Sequence, residues 1–293
     1  MALPDFVVIG AMKCGTSTLQ EQLAAQPGVF MSTPKEPNFF SDDDVFARGL
    51  GWYESLFDPA PEGALKGEAS THYAKLPTHP RTAERMAGIL PEARLIYIIR
   101  DPIQRLVSHY IHDWTLGLIR EDLPSAVERR PELVGYGRYA MQIEPWLARY
   151  GRERIHLASL ERLRADPQGE LDRIAAFLGA GPFRWRENLA PANVSSERLR
   201  RFPLYDLLVR HPAAAALRRR VAPKRLREAV KARLRMRERP DLPPALRARL
   251  EAIYAEDRAV LARLFPEETP RLFSEETPTP PAPATPAQRA RAG

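Results

Sequence analysis

The chain has 293 residues, 44% of them hydrophobic, and a net charge of +7, which suits one large α/β domain or a domain with a helical extension. No apolar stretch approaches the ~20 residues of a membrane-spanning helix, and with the first strand beginning by Phe6 no signal peptide is expected before it. The single cysteine, Cys14, excludes an intrachain disulfide framework and a multi-cysteine metal site, so the expectation is a cytoplasmic enzyme.

Five short β-favouring runs follow one another: 6–9, 29–31, 64–67, 94–99 and 154–158. Segments with helical spacing lie between or after them, at 18–25, 81–90, 102–114, 138–150 and 168–178. Strands alternating with helices imply crossover connections and a parallel sheet. Leu95-Ile96-Tyr97-Ile98-Ile99 has the continuous apolar character of a strand buried on both faces. After Gly179 the strand signal fades. Residues 196–237 are basic and helical in pattern, broken by Pro203, Pro212 and Pro223. A further helix at 246–264 carries a stripe of Leu246, Leu250, Ile253, Tyr254, Val260, Leu261 and Leu264.

The expected fold is therefore α/β: three layers with a central parallel sheet flanked by helices, plus a helical C-terminal extension. The domain spans 1–265, with a core at about 5–180 and a helical basic part at about 196–265. Residues 266–293, rich in Pro, Thr and Ala, are expected to be a disordered tail.

The charge is local. Residues 198–239 carry 15 Lys/Arg and 3 Asp/Glu, a net +12, so the rest of a chain at +7 carries −5. Such a face attracts anions. It lacks the interleaved aromatics and the motifs of a nucleic-acid-binding surface, so no nucleic-acid partner is expected.

The segment Gly10-Ala11-Met12-Lys13-Cys14-Gly15-Thr16-Ser17-Thr18 joins the first strand to the first helix. A helix start presents N–H groups with no intrahelical partner and the positive end of the helix dipole, so it attracts phosphate. Gly15 lets the backbone approach closely, Lys13 adds a full charge, and Thr16, Ser17 and Thr18 add hydroxyls. The nucleotide-triphosphate loop has Lys directly after its second glycine. Here Lys13 precedes Gly15 by two residues, which argues against a kinase-like phosphotransferase, the alternative reading. A second strand-to-helix junction lies at Arg100, where open α/β sheets bind ligands. Arg100, with Ser108 about two turns into the next helix, forms a second phosphate anchor. Two anchors fit a nucleotide with phosphate on both its 3′ and 5′ sides.

These two motifs resemble those of the sulfotransferases that use 3′-phosphoadenosine 5′-phosphosulfate (PAPS). Lys-x-Gly-Thr-Ser is similar to their 5′-phosphosulfate loop, and Arg100-Asp101-Pro102…Arg105…Ser108-x-Tyr110 to their 3′-phosphate motif. The resemblance covers roughly residues 5–265. It continues through Tyr139…Trp146, Leu160-Glu161-Arg162-Leu163…Asp166-Pro167 and Asp257…Leu261. Lys35-Glu36-Pro37-Asn38-Phe39-Phe40 is similar to the carbohydrate (heparan sulfate) type and its bacterial relatives, which place a catalytic glutamate there.

The resemblance implies PAPS as donor, no metal, and transfer of a sulfuryl group to a hydroxyl or amine of a carbohydrate or small metabolite. Lys13 would stabilise the leaving phosphate. Lys13, Cys14, Gly15, Thr16, Ser17 and Thr18 would hold the 5′ phosphate, and Arg100 and Ser108 the 3′ phosphate. Glu36 would be the base. His72 is the alternative base, with an ordinary pKa near ~6.5 better suited to the task than a glutamate's near ~4.3. The heparan sulfate type carries a lysine after the third-strand glutamate, whereas here Ala69 follows Glu68. The acceptor therefore stays open, as does the oligomeric state. Asn193, Ser195 and Arg198 fall near the family's adenine-contacting loop.

Overall fold

The structure, a computed structural model, describes residues 3–189, 236 and 239–269. Five strands form one parallel sheet in the order β2-β3-β1-β4-β5: β1 (Phe6–Gly10), β2 (Val29–Met31), β3 (Leu65–Ala69), β4 (Arg94–Ile99) and β5 (Ile155–Ser159). The order is the outcome of crossovers. β1 lies in the middle, flanked by β3 and β4, which arrive much later in the chain.

Side-chain alternation divides the core into two layers. Val7, Ile9, Leu95, Tyr97, Ile99, Ile155 and Leu157 point into one cluster. It is covered by α3 (Leu50–Ser55), α4 (Thr82–Ile89), α8 (Tyr139–Tyr150) and the end of α11 (Pro244–Leu264). Phe6, Val8, Ile96, Ile98 and Ala158 point into the other, under α1 (Thr16–Ala24), α9 (Leu160–Ala165) and α10 (Pro167–Leu178). A third cluster joins α5 (Pro102–Leu116), α6 (Leu123–Arg129) and α7 (Pro131–Gly135) to α11. The three-layer α/β architecture expected from the sequence is the one observed.

Helix α11 is docked by polar as well as apolar groups. The Asp257 carboxylate accepts from Ala140 N–H (2.9 Å) and Met141 N–H (3.2 Å), satisfying free donors in the first turn of α8. Leu250, Tyr254 and Leu261 of the expected stripe are buried, but Val260 is exposed. The buried positions 250, 254, 257 and 261 follow one face, and Val260 lies off it.

Two boundaries need correction. β3 runs past Gly67 through Glu68 to Ala69, which pair with Val7 and Val8 of β1, and the Glu68 carboxylate is buried on the Tyr53 hydroxyl, 2.7 Å away. The packed chain also runs past 265: Thr269 is buried, its hydroxyl donates to Phe265 O at 2.7 Å, and Glu268 pairs with Arg152. The rest of the Pro-rich tail, most of the basic segment 196–237, and Asn193, Ser195 and Arg198 lie outside the described residues.

Candidate active site at the carboxyl edge of the sheet

The loop after β1 is built by backbone. Ala11 N–H donates to Ile98 O of β4 (2.7 Å), and Cys14 N–H closes a turn on Ala11 O (3.2 Å). Lys13 and Gly15 both have left-handed φ, 68° and 92°. A Cβ on Gly15 would lie 2.8 Å from Leu160 Cδ1, so glycine satisfies both the dihedral and the close approach. Gly15 caps α1 without a side-chain hydrogen bond, and the positive end of the helix dipole faces the loop. Thr16 is buried, while Ser17 and Thr18 are half-buried.

The Lys13 ammonium makes no ion pair among the described residues. Burial lowers its pKa, as does Arg100, against the opposing charges of Asp113 and Glu36. Cys14 corrects the expected phosphate set. Its thiol is turned into the core, 3.6 Å from Tyr139 Oη, and burial pushes it up to about 11. Neither its side chain nor its N–H, which is spent on Ala11, is free for a phosphate.

Arg100 leaves the end of β4 beside this loop, and its Nη1 donates to Lys13 O at 3.3 Å. Its Nε is buried without a partner in the structure. It does not pair with Asp101, which instead caps α5 through Gln104 N–H (2.7 Å). Pro102 opens that helix, and Ser108 follows, half-buried, on its second turn. Arg105, the other arginine of the motif, is fully buried and structural: it donates to Leu133 O and to His109 Nδ1 (3.4 Å).

Glu36 stands over the third strand. Its N–H donates to Ala69 O at the end of β3 (3.0 Å), and Asn38 N–H donates to Ser70 Oγ (3.3 Å). Phe39 stacks on Tyr53 with ring centroids 4.6 Å apart, and Phe40 meets Tyr53 and Tyr73 edge-on, which anchors the loop in the core. The Glu36 carboxylate accepts from Lys35 Nζ (2.9 Å) and Thr71 Oγ1 (3.2 Å) at Oε1. Burial pushes its pKa up, but Lys35, Lys75 and His72 outweigh burial and leave it below the ordinary value. Glu36 is thus ionised at neutral pH through a charge network rather than raised by burial.

His72 loses the advantage expected from its ordinary pKa. Burial, Lys75 and His79 pull it down to about 4. Its ring stacks on His79 at 5.0 Å, and its Nδ1 is buried without a partner. Both candidate bases are therefore deprotonated at neutral pH, and both are weak.

The sequence reading did not single out three further groups at this edge. Glu68 is fully buried, and burial raises it to about 7, against the hydroxyl of Tyr53. On α5, Asp113 pairs with His109 Nε2 at 3.2 Å, and burial with Lys13 nearby takes His112 down to about 4. Since Arg105 can only donate, His109 Nδ1 accepts and its Nε2–H faces Asp113. Lys75, in the loop after β3, feels Glu36 and Asp113. The only signal for the α5 pair was His and Asp spaced i, i+4. Of the aromatics near this edge, Tyr53 and Tyr136 are buried, and Trp52 packs on Phe39.

Comparison with known proteins bears on this edge. Residues 3–258 match the family model described as "Sulfotransferase domain". The chain is 33% identical over 189 residues to mouse heparan sulfate glucosamine 3-O-sulfotransferase 3A1, covering 60% of this chain and 46% of that protein. It is 29% identical over 203 residues to mouse bifunctional heparan sulfate N-deacetylase/N-sulfotransferase 4, covering 61% of this chain and 23% of that one. It thus spans less than half the length of these relatives. A sulfotransferase crystal structure from Alicyclobacillus acidocaldarius superposes with a TM-score of 0.64 at 24% identity, over 90% of this chain and 96% of that one, and shares the fold. The family model covers most of the chain and spans the Lys13 loop, Glu36 and the Arg100 junction, so the chain belongs to the sulfotransferase family.

Proposed function

We propose that this chain transfers a sulfuryl group from PAPS to a hydroxyl or amine of a carbohydrate or small-molecule acceptor. One observation carries the reading: Lys13 and Arg100 belong to loops at the carboxyl ends of the neighbouring strands β1 and β4, and Glu36, from the loop after β2, hydrogen-bonds to the carboxyl end of β3 on the other side of β1. The buried, partnerless Nε of Arg100 and the unpaired Lys13 ammonium fit a ligand with two separate phosphates. PAPS would supply an electrophilic sulfuryl group on a phosphate leaving group.

The first turn of α1, with the hydroxyls of Thr16, Ser17 and Thr18, would hold the 5′ phosphate. Arg100 and Ser108 would hold the 3′ phosphate. Lys13 would stabilise charge growing on the leaving oxygen as the sulfur–oxygen bond to phosphate breaks. Glu36 would take the acceptor's proton as the new bond to sulfur forms. The backbone hydrogen bonds of both loops, Ala11 N–H to Ile98 O and Glu36 N–H to Ala69 O, would help to fix donor and acceptor in line. A cytoplasmic setting is part of the proposal. Among the described residues, no helix is long and apolar enough to cross a membrane.

The test is thermal shift of the full chain. Adenosine 3′,5′-bisphosphate is expected to stabilise it without Mg²⁺, by about 2.7 kcal/mol at a hundredfold excess over Kd. Stabilisation by ATP with Mg²⁺ instead would favour the phosphotransferase reading.

A further inference from the structure

Lys75 is a buried cation without a counter-ion. Only 8% of it is exposed, and its ammonium makes no hydrogen bond or ion pair among the described residues. The Tyr136 ring lies 5.8 Å from its Nζ. The backbone around it is clamped. Leu76 N–H donates to Gln142 Oε1 (2.7 Å), and Gln142 Nε2 donates back to Leu76 O (2.9 Å) and on to Gly135 O (3.1 Å). His79 N–H closes a turn on Lys75 O (3.0 Å).

The charged groups around it do not complete it. Glu36, from the loop after β2, takes its contacts from Lys35 and Thr71. Asp113 on α5 is paired with His109. Arg105 on α5 adds like charge. His72 and His79 on its own loop, and His109 and His112 on α5, all have lowered pKa, with Lys75 among the causes, and are neutral at pH 7. A buried charge is tolerated when something pairs with it. Here every neighbouring anion already has a partner at contact distance.

We propose that Lys75 is the core of an anion-binding subsite on the acceptor side of the site, taking a carboxylate or sulfate group carried by the acceptor. The proposal rests on the transfer reading above and narrows the acceptor to anionic molecules. Burial brings the ammonium down to about 8, so the subsite loses its charge as pH rises through that value.

The probe is inorganic sulfate, titrated by calorimetry into the full chain saturated with adenosine 3′,5′-bisphosphate. The expected result is binding that weakens at least tenfold in Lys75→Met, stays within about threefold in Lys75→Arg, and fades from pH 7 to pH 9 only where the lysine is present. Equal affinity in wild type and Lys75→Met overturns the proposal, as does a loss that follows Lys13→Ala instead. Should Lys75→Met fail to fold, NMR of ¹³Cε-labelled lysines in the wild type decides: sulfate must raise the titration midpoint of Lys75, and an unmoved midpoint overturns the subsite. 4-Hydroxybutyrate, but not 1,4-butanediol, is expected to displace sulfate. If neither does, the subsite takes free anions only and the acceptor assignment falls. Failure of the bisphosphate to bind at all would instead sink the donor reading, and the sulfate comparison can still be made on the free chain.

Discussion

The two halves of the proposed site are built differently. The donor half, the Lys13 loop with Arg100, is made mostly of backbone: one glycine, a helix start, and two loops joined through Ala11 to Ile98 and Arg100 to Lys13. The acceptor half is made of side chains brought from three places, the loop after β2, the loop after β3 and α5: Glu36, His72 and Lys75 shift one another, and Asp113 acts on Lys75. Backbone geometry is written in consecutive residues. A charge network is written in residues far apart, and only the fold brings them together.

The sharpest test of that difference is on the acceptor side. Glu36→Gln removes the carboxylate but keeps its shape. It is expected to lower kcat/KM by about 10²–10⁴-fold while leaving adenosine 3′,5′-bisphosphate affinity within about threefold. A variant that loses bisphosphate affinity as well would mean that the two halves are one unit.

Glu68 tests how far the charge network reaches into the core. Its folded pKa of about 7 lies above the ordinary 4.5, so the native state holds a proton that the unfolded chain releases. Its contribution to stability is therefore full below about pH 4.5 and is lost as pH rises towards 7. Glu68→Gln cannot lose it. Relative to wild type, this variant should gain stability from pH 5 to pH 8, by up to about 3 kcal/mol at ~1.4 kcal/mol per pK unit. Urea midpoints of both proteins at the two pH values measure it, and parallel pH dependence would remove Glu68 from the network.

The contrast also explains what could be read from the sequence. β2 and β4 and the long helices were legible because apolar periodicity marks them. Both strand-to-helix junctions, at Lys13 and at Arg100, were legible because glycine, lysine and the Arg-Asp-Pro sequence sit in local order. β3 was cut short at Gly67, since no pattern marks a carboxylate that is buried on a tyrosine 15 residues away. The short helices α2 (Asp43–Phe46), α6 and α9 are signalled mainly by single caps, Asp42, Asp122 and Ser159, which periodicity does not register. Cys14 lay inside the phosphate motif, yet its thiol belongs to the core; sequence order cannot tell which way one side chain of a tight loop turns.

On the donor side, Gly15→Ala should cost about 2 kcal/mol: roughly 1–2 for an alanine at a φ of 92°, plus the displacement of Leu160. It should also weaken bisphosphate binding, because the N–H groups of the loop move. Gly28→Ala is the control. It has a similar φ of 75° with nothing within 4 Å of the added carbon, so it should cost only the dihedral term and leave the bisphosphate untouched. If the two variants behave alike in urea melts and bisphosphate titrations, the donor half does not depend on its glycine.

The smallest expected effect belongs to His72. With its pKa near 4, it is a base no stronger than an ordinary carboxylate, and it stands neutral beside Glu36. If it only helps to hold Glu36 ionised, His72→Asn changes kcat/KM by less than tenfold. The acid limb of the rate profile should then move little, since Lys35 and Lys75 still act on Glu36. A fall as large as that of Glu36→Gln, with the acid limb abolished, would give His72 the proton instead. The acceptor half would then turn on a stacked imidazole rather than on a carboxylate paired with Lys35.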